Sequence, residues 1–157
     1  MPTHEDPSAK DATDDPRPAP GYVPHERKSP LTAPWEPIFA KRTDEAVQLA
    51  VRVREAHCNA RAMAHGGLIA ALADNAMGHS AVGQARAAGL PVASAVTVSL
   101  TVDYIGTVRT GQWLEFVPTV VKVGRTLAFV EFRALADGEV AARGSATFRF
   151  LKAKTGG

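Results

Sequence analysis

Cysteine is almost absent from this sequence. Its 157 residues contain a single one, Cys58, which excludes an intrachain disulfide framework and suits a reducing compartment. Charge of one sign is not in excess either: 18 Lys and Arg against 16 Asp and Glu leave a net charge of +2. Aromatic residues are sparse at 6%, and no basic stripe is interleaved with them, so nucleic acid is not the expected partner. No apolar run reaches the ~18–20 residues that a membrane helix needs. The N-terminus, MPTHEDPSAKDATDD, lacks the basic and then apolar pattern of a secretory signal. These absences predict a soluble, cytoplasmic protein with no membrane partner.

Proline is unevenly spread. Seven of the eleven prolines fall in the first thirty residues, together with Glu5, Asp6, Asp11, Asp14 and Asp15. Such a composition does not bury enough apolar surface to order itself, so residues 1–28 are expected to be a flexible arm. A single domain is expected over 29–152, followed by a short tail, 153–157. The chain's 45% hydrophobic content is sufficient for a core.

Within that domain, SPLTAPWEPIF carries Trp35 and Phe39 as anchors, and its prolines limit it to a turn or short helix. AVQLAVRVREAHCN places Val47, Leu49, Val51 and Val53 at period two, as in a half-buried strand. NARAMA is a loop. Gly66 then opens an apolar helix expected to end near Ala87, before Gly89-Leu90-Pro91. Four strands follow. The first, ASAVTVSLTVDYIG, sets Val96, Val98, Leu100 and Val102 on one face, and Asp137-Gly138 makes the last hairpin turn. One long apolar helix plus consecutive antiparallel strands predicts an α+β fold in which a sheet wraps around the helix.

Asp74 interrupts this helix. Buried charge is expensive unless it is paired or used, so Asp74 marks either a solvent-facing notch or a working carboxylate. It lies eight residues beyond Gly66, or about 12 Å of helix rise, so the two cooperate only across a subunit interface or through a substrate stretched between them. The first helical amides have no intrahelical partner and carry the positive end of the helix dipole. The Gly66-Gly67 pair leaves them open to a ligand. Donors so placed hold a developing oxyanion, at roughly 3–4 kcal/mol each, and a carboxylate nearby serves as nucleophile or as a base for water. Asn59 and His65, just before the helix, are polar groups able to orient water or the carboxylate.

Other polar residues have plainer readings. Cys58 and His57 lie on what reads as a strand, where adjacent side chains point apart, and with His65 they match no zinc spacing, so no metal is expected. His79, five residues after Asp74, falls on a different helix face and is expected to pack. Trp35, Phe39, Trp113 and Phe116 read as core or pocket wall, and Arg109 as a solvated loop charge.

The pattern Asn59-x5-His65-Gly66-Gly67-x6-Asp74, followed by the strand through Thr97, resembles the hotdog-fold acyl-CoA thioesterases of the phenylacetate-pathway (PaaI-like) type. VGRTLAFVEFRALADGEVAARGSATF, Val123 to Phe148, is similar to that family's last two strands. One departure is Ala62, where the family pattern has glycine three residues after the Asn. The resemblance implies hydrolysis of an aryl- or short- to medium-chain acyl-CoA without a cofactor. It implies that Gly66 N–H polarises the thioester carbonyl, with Gly67 beside it. Asp74 of the facing subunit would attack or activate water, and Asn59 and His65 would position water and thioester. Thr97 would assist Asp74, and Arg125 would reach a CoA phosphate. It also implies a homodimer or homotetramer with its sites at the dimer interface. The alternative from another class is a non-catalytic acyl-CoA sensor or carrier on the same fold.

Overall fold

A computed structural model describes residues 17–154 of the chain. The strands are β1 (Val23–Pro24), β2 (Phe39–Arg42), β3 (Val47–Arg52), β4 (Val92–Tyr104), β5 (Trp113–Val123), β6 (Leu127–Ala136) and β7 (Glu139–Lys152). A single α-helix, α1 (Gly66–Ala87), lies between β3 and β4. The strands form one antiparallel sheet in the order β1-β2-β3-β5-β6-β7-β4. The sheet packs along α1, which is the expected architecture of a hotdog fold.

Local chemistry explains the boundaries. α1 starts after His65, whose Nδ1 accepts from Gly67 N–H at 2.8 Å. It stops where Gly89 takes a φ of 80°, a left-handed conformation that glycine adopts without steric penalty. Asp137 and Gly138 have φ of 48° and 86°, as a tight two-residue hairpin turn needs. Along β6, burial alternates without a break from Leu127 to Arg133, with Ala128, Val130, Phe132 and Ala134 turned toward the helix.

The helix is not buried all round. Leu68, Leu72, Ala76, Met77, Ala81 and Ala85 form the stripe that faces Leu49, Leu114, Phe116 and Val130. Ser80 lies in this dry seam at 1% exposure. Its Oγ donates to Ala76 O (2.8 Å) and accepts from Val47 N–H (2.9 Å), joining α1 to β3.

Several expectations need correction. The strand expected to continue through His57 ends at Arg52, and Glu55–His57 is a 3-10 turn. The arm was expected to run free to residue 28, yet within residues 17–28 Val23–Pro24 pairs with β2 and His25 N–H donates to Ile38 O at 2.8 Å. Tyr22 is 6% exposed, packs edge-on to Trp113, and donates to Glu115 Oε2 at 2.8 Å. Residues 1–16, the remainder of that arm, and 155–157 of the tail lie outside the described residues. Val96, Val98, Leu100 and Val102 do not share one face either: a bulge between Thr97 and Ser99 shifts the alternation, so Ala95 and Val102 pack against the core while Val96 and Val98 are 44% and 60% exposed. Among the described residues β4 is the last strand of the sheet, paired with β7.

Gly144 sets how closely β4 approaches. A Cβ there would lie 2.0 Å from Thr101 O and 2.8 Å from Phe132 Cε1. Gly144→Ala is therefore expected to push β4 off the sheet and destabilise the protein by at least about 1–3 kcal/mol. Thermal unfolding checks this, and an unchanged Tm would contradict it.

Candidate functional site

The expected site residues fall into two groups at different places on α1. The first is at the helix start. Asn59 folds the preceding loop: its Oδ1 accepts from Arg61 N–H (2.9 Å) and Met63 N–H (3.3 Å), leaving its NH2 group for other partners. Ala62, in the same loop, takes a φ of 56°. The loop thus adopts the left-handed turn for which glycine is the usual residue, although alanine stands there. His65 Nδ1 accepts the cap bond from Gly67 N–H, so in the neutral ring the proton sits on Nε2. The Gly67 amide is thereby engaged within the chain, contrary to the expectation that it meets substrate. The Gly66 amide donates to no other described residue.

Tyr104 completes this end of the helix, and the sequence did not single it out. Its hydroxyl donates to Gly66 O at 2.6 Å, and its ring would lie 3.1 Å from a Cβ at position 66. A methyl at position 66 would thus crowd the Tyr104 ring where it crosses the helix start. Because Tyr104 lies at the far end of β4, no local sequence signal links the two.

The second group is on the flank of α1. Asp74 is half-buried beside the core stripe, and its Oδ1 accepts from Thr97 Oγ1 at 2.6 Å. Both line a cavity of about 430 Å³, together with Leu72, Ala95 and Phe148. Asn59, His65, Gly66 and Gly67 are not part of this cavity, nor is Arg125, which is exposed in the turn between β5 and β6. One chain therefore brings Asp74 to Thr97 but does not bring Asp74 to the helix start.

His79 lies on a different helix face from Asp74 and packs against His25, yet it lines the same cavity. The cavity wraps far enough round α1 to take in both faces. His25 lines it too, its ring edge-to-face with His79 at 5.2 Å between centroids. Burial, then the positive charges of His25, Arg27 and Arg42, push His79 down to about 4. His25 is also lowered, first by burial and then by Arg42, with Glu36 opposing. His57 is structural: its Nδ1 accepts from Arg54 N–H (3.1 Å) and its Nε2 lies 2.8 Å from Trp35 O. Among the described residues, no three His, Cys, Asp or Glu side chains are grouped to hold a metal. No helix there is long and apolar enough to cross a membrane.

Comparison with known proteins agrees with this architecture. Residues 62–142 match the family described as the thioesterase superfamily. A putative esterase of Pseudomonas aeruginosa is 36% identical over 129 residues, which is 82% of this chain and 93% of that protein. Two solved structures share the fold. A hypothetical thioesterase with coenzyme A from Streptococcus pneumoniae superposes with TM-score 0.67 at 18% identity, over 77% of this chain and 94% of that one. A variant of the phenylacetic acid degradation protein PaaI from Thermus thermophilus superposes with TM-score 0.64 at 23% identity, over 73% and 93%. The chain belongs to the thioesterase superfamily, shares its fold with PaaI and the other solved thioesterases, and is a hydrolase.

Two predictions follow from the geometry. Ala62→Gly relieves a left-handed alanine and is expected to stabilise the fold by about 0.5–1 kcal/mol; a lower denaturant midpoint would contradict this. The histidines make stability depend on pH. An unfolded histidine takes up its proton near 6.5, whereas folded His79 resists protonation until about 4. The unfolded chain therefore binds more protons across that window, and stability falls as pH drops from 6.5 toward 4. Urea unfolding at stepped pH should show His79→Gln with a shallower decline; an equal decline would contradict it.

Proposed function

We propose that the protein hydrolyses acyl-CoA thioesters at a site built from two copies of the chain, with the helix start of one facing Asp74 of the other. The observation that carries this reading is the separation of two complementary half-sites on a single helix. At one end stands an unengaged Gly66 amide on the positive end of the helix dipole. About two turns away stands a carboxylate fixed by a hydroxyl at 2.6 Å. Neither half performs acyl transfer alone, and a two-fold axis supplies each with the other.

The exposed edge of β4 supports that pairing. Its 13 residues carry a row of backbone groups with no strand beyond them among the described residues, and Val96, Val98 and Leu100 stand exposed along it. Such an edge invites pairing with another strand, and a second copy of β4 would continue the sheet into a homodimer, from which a homotetramer is the next step. Thr97 lies on this strand, so the interface would form beside Asp74.

In the reaction, the thioester carbonyl oxygen accepts from Gly66 N–H. Asp74 either attacks the carbonyl carbon or takes a proton from the water that does. Negative charge then builds on the carbonyl oxygen against the helix N-terminus, and its collapse expels the CoA thiolate; in the direct-attack route water then cleaves the Asp74 anhydride, releasing the acid and restoring the carboxylate. Thr97 Oγ1 holds Asp74 Oδ1, leaving the other oxygen for the chemistry. The Asn59 NH2 group and His65 Nε2–H remain to position water and thioester, and Arg125 would meet a CoA phosphate. The single unpaired Cys58 fits a cytoplasmic setting.

Asp74→Ala is expected to lower thiol release from acyl-CoA substrates by about 100-fold or more, with Tm nearly unchanged because Asp74 lies outside the core stripe. Thr97→Val should cause a smaller loss. A variant at position 74 retaining most of its turnover would sink this mechanism. Stoichiometric acyl-CoA binding with no thiol release from wild type would favour the sensor or carrier reading.

A further inference from the structure

The cavity at Asp74 changes character along its length. Beside Asp74 it is apolar, with Leu72, Ala95 and Phe148 in its wall. Farther along α1 it is basic: His79 and His25 stack edge-to-face, and Arg27 and Arg42 line the same space. Neither arginine forms an ion pair with a described carboxylate. Glu36, the acid that acts on His25, is held 2.9 Å from Lys28. His25 is 5% exposed, and its Nδ1 is buried with no hydrogen-bond partner.

Buried polar atoms nearly always find partners. An unpartnered ring nitrogen beside two guanidiniums that pair with no described carboxylate is a setting that an anion with accepting oxygens would suit. Asp74 does not fill that place, because its Oδ1 is held by Thr97 at the other end.

We propose that this basic end receives a carboxylate at the far end of the acyl group, so that the preferred substrates are thioesters of dicarboxylic or carboxy-aryl acids. This rests on the reading of Asp74 as the scissile end. The spacing favours an acyl carboxylate over a phosphate of CoA. His79 is five residues beyond Asp74, or about 7.5 Å of helix rise, a span matched by a short dicarboxylic chain or a substituted ring. The phosphates of CoA are separated from the thioester by the whole pantetheine arm, which is much longer. A guanidinium fork receives a carboxylate bidentately, so the spacing is what discriminates.

The test compares kcat/KM for adipyl-CoA and hexanoyl-CoA, which differ by the terminal carboxylate. Wild type should prefer adipyl-CoA by at least about tenfold, and the double variant Arg27→Gln/Arg42→Gln should cut that preference at least tenfold. Equal or better turnover of hexanoyl-CoA by wild type would overturn the proposal. So would an equal rise in KM for both substrates in the double variant, which would assign the arginines to CoA itself. A second arm is independent of hydrolysis: free adipate should raise the Tm of wild type and not of the double variant. A shift without any thiol release would support the anion site while removing the thioesterase reading. No shift, with adipyl-CoA still not preferred, would remove the anion site alone.

Discussion

One helix must be kept from water by one sheet, and the rest of the molecule follows from that constraint. A curved antiparallel sheet covers a single stripe of α1, and Ser80 ties the helix to β3 within the seam. What the sheet leaves uncovered is the first turn and one flank. The first turn presents the Gly66 amide under Tyr104, and the flank presents Asp74 beside Thr97. The polar groups of the proposed site stand where the helix is not packed, so the core does not bear the desolvation of a charge.

The same economy places β4. Its position at the end of the sheet exposes a long edge bearing apolar side chains, and it carries Thr97 near one end and Tyr104 at the other. One strand thus touches both half-sites. A partner strand laid against it would bury that edge and set the two halves in register, linking assembly to activity. The N-terminal segment contributes from the other side: Tyr22 packs on Trp113 beyond the core, and His25 closes the basic end of the cavity.

Much of this was legible in the sequence. The helix bounds were readable because Gly66 and Gly89 mark changes in backbone chemistry, and β6 because its alternation is regular. Asp74 was conspicuous because a carboxylate in an apolar run demands a reason. The contacts of residues 17–28 were hidden by composition: proline-rich, acidic chain reads as disordered, and nothing local shows that Tyr22 reaches Glu115. The strict alternation expected of β4 hid its bulge between Thr97 and Ser99, which puts Val96 and Val102 on opposite faces, because period two does not show an inserted residue. That His79 shares the cavity of Asp74 from another helix face was hidden, because helical angle alone ignores how widely a cavity wraps. The engagement of the Gly67 amide depends on a histidine rotamer, which no spacing rule supplies.

A site shared between two copies can be restored by mixing two half-defective chains. Asp74→Ala removes one half-site, and Gly66→Ala, whose Cβ would press on the Tyr104 ring at 3.1 Å, disrupts the other. Each variant alone should be nearly inactive. Co-refolded in equal amounts, half of the dimers are mixed and each mixed dimer holds one intact site, so thiol release should return to about a quarter of wild type. Mixed dimers that form yet recover no activity would contradict a site shared between chains.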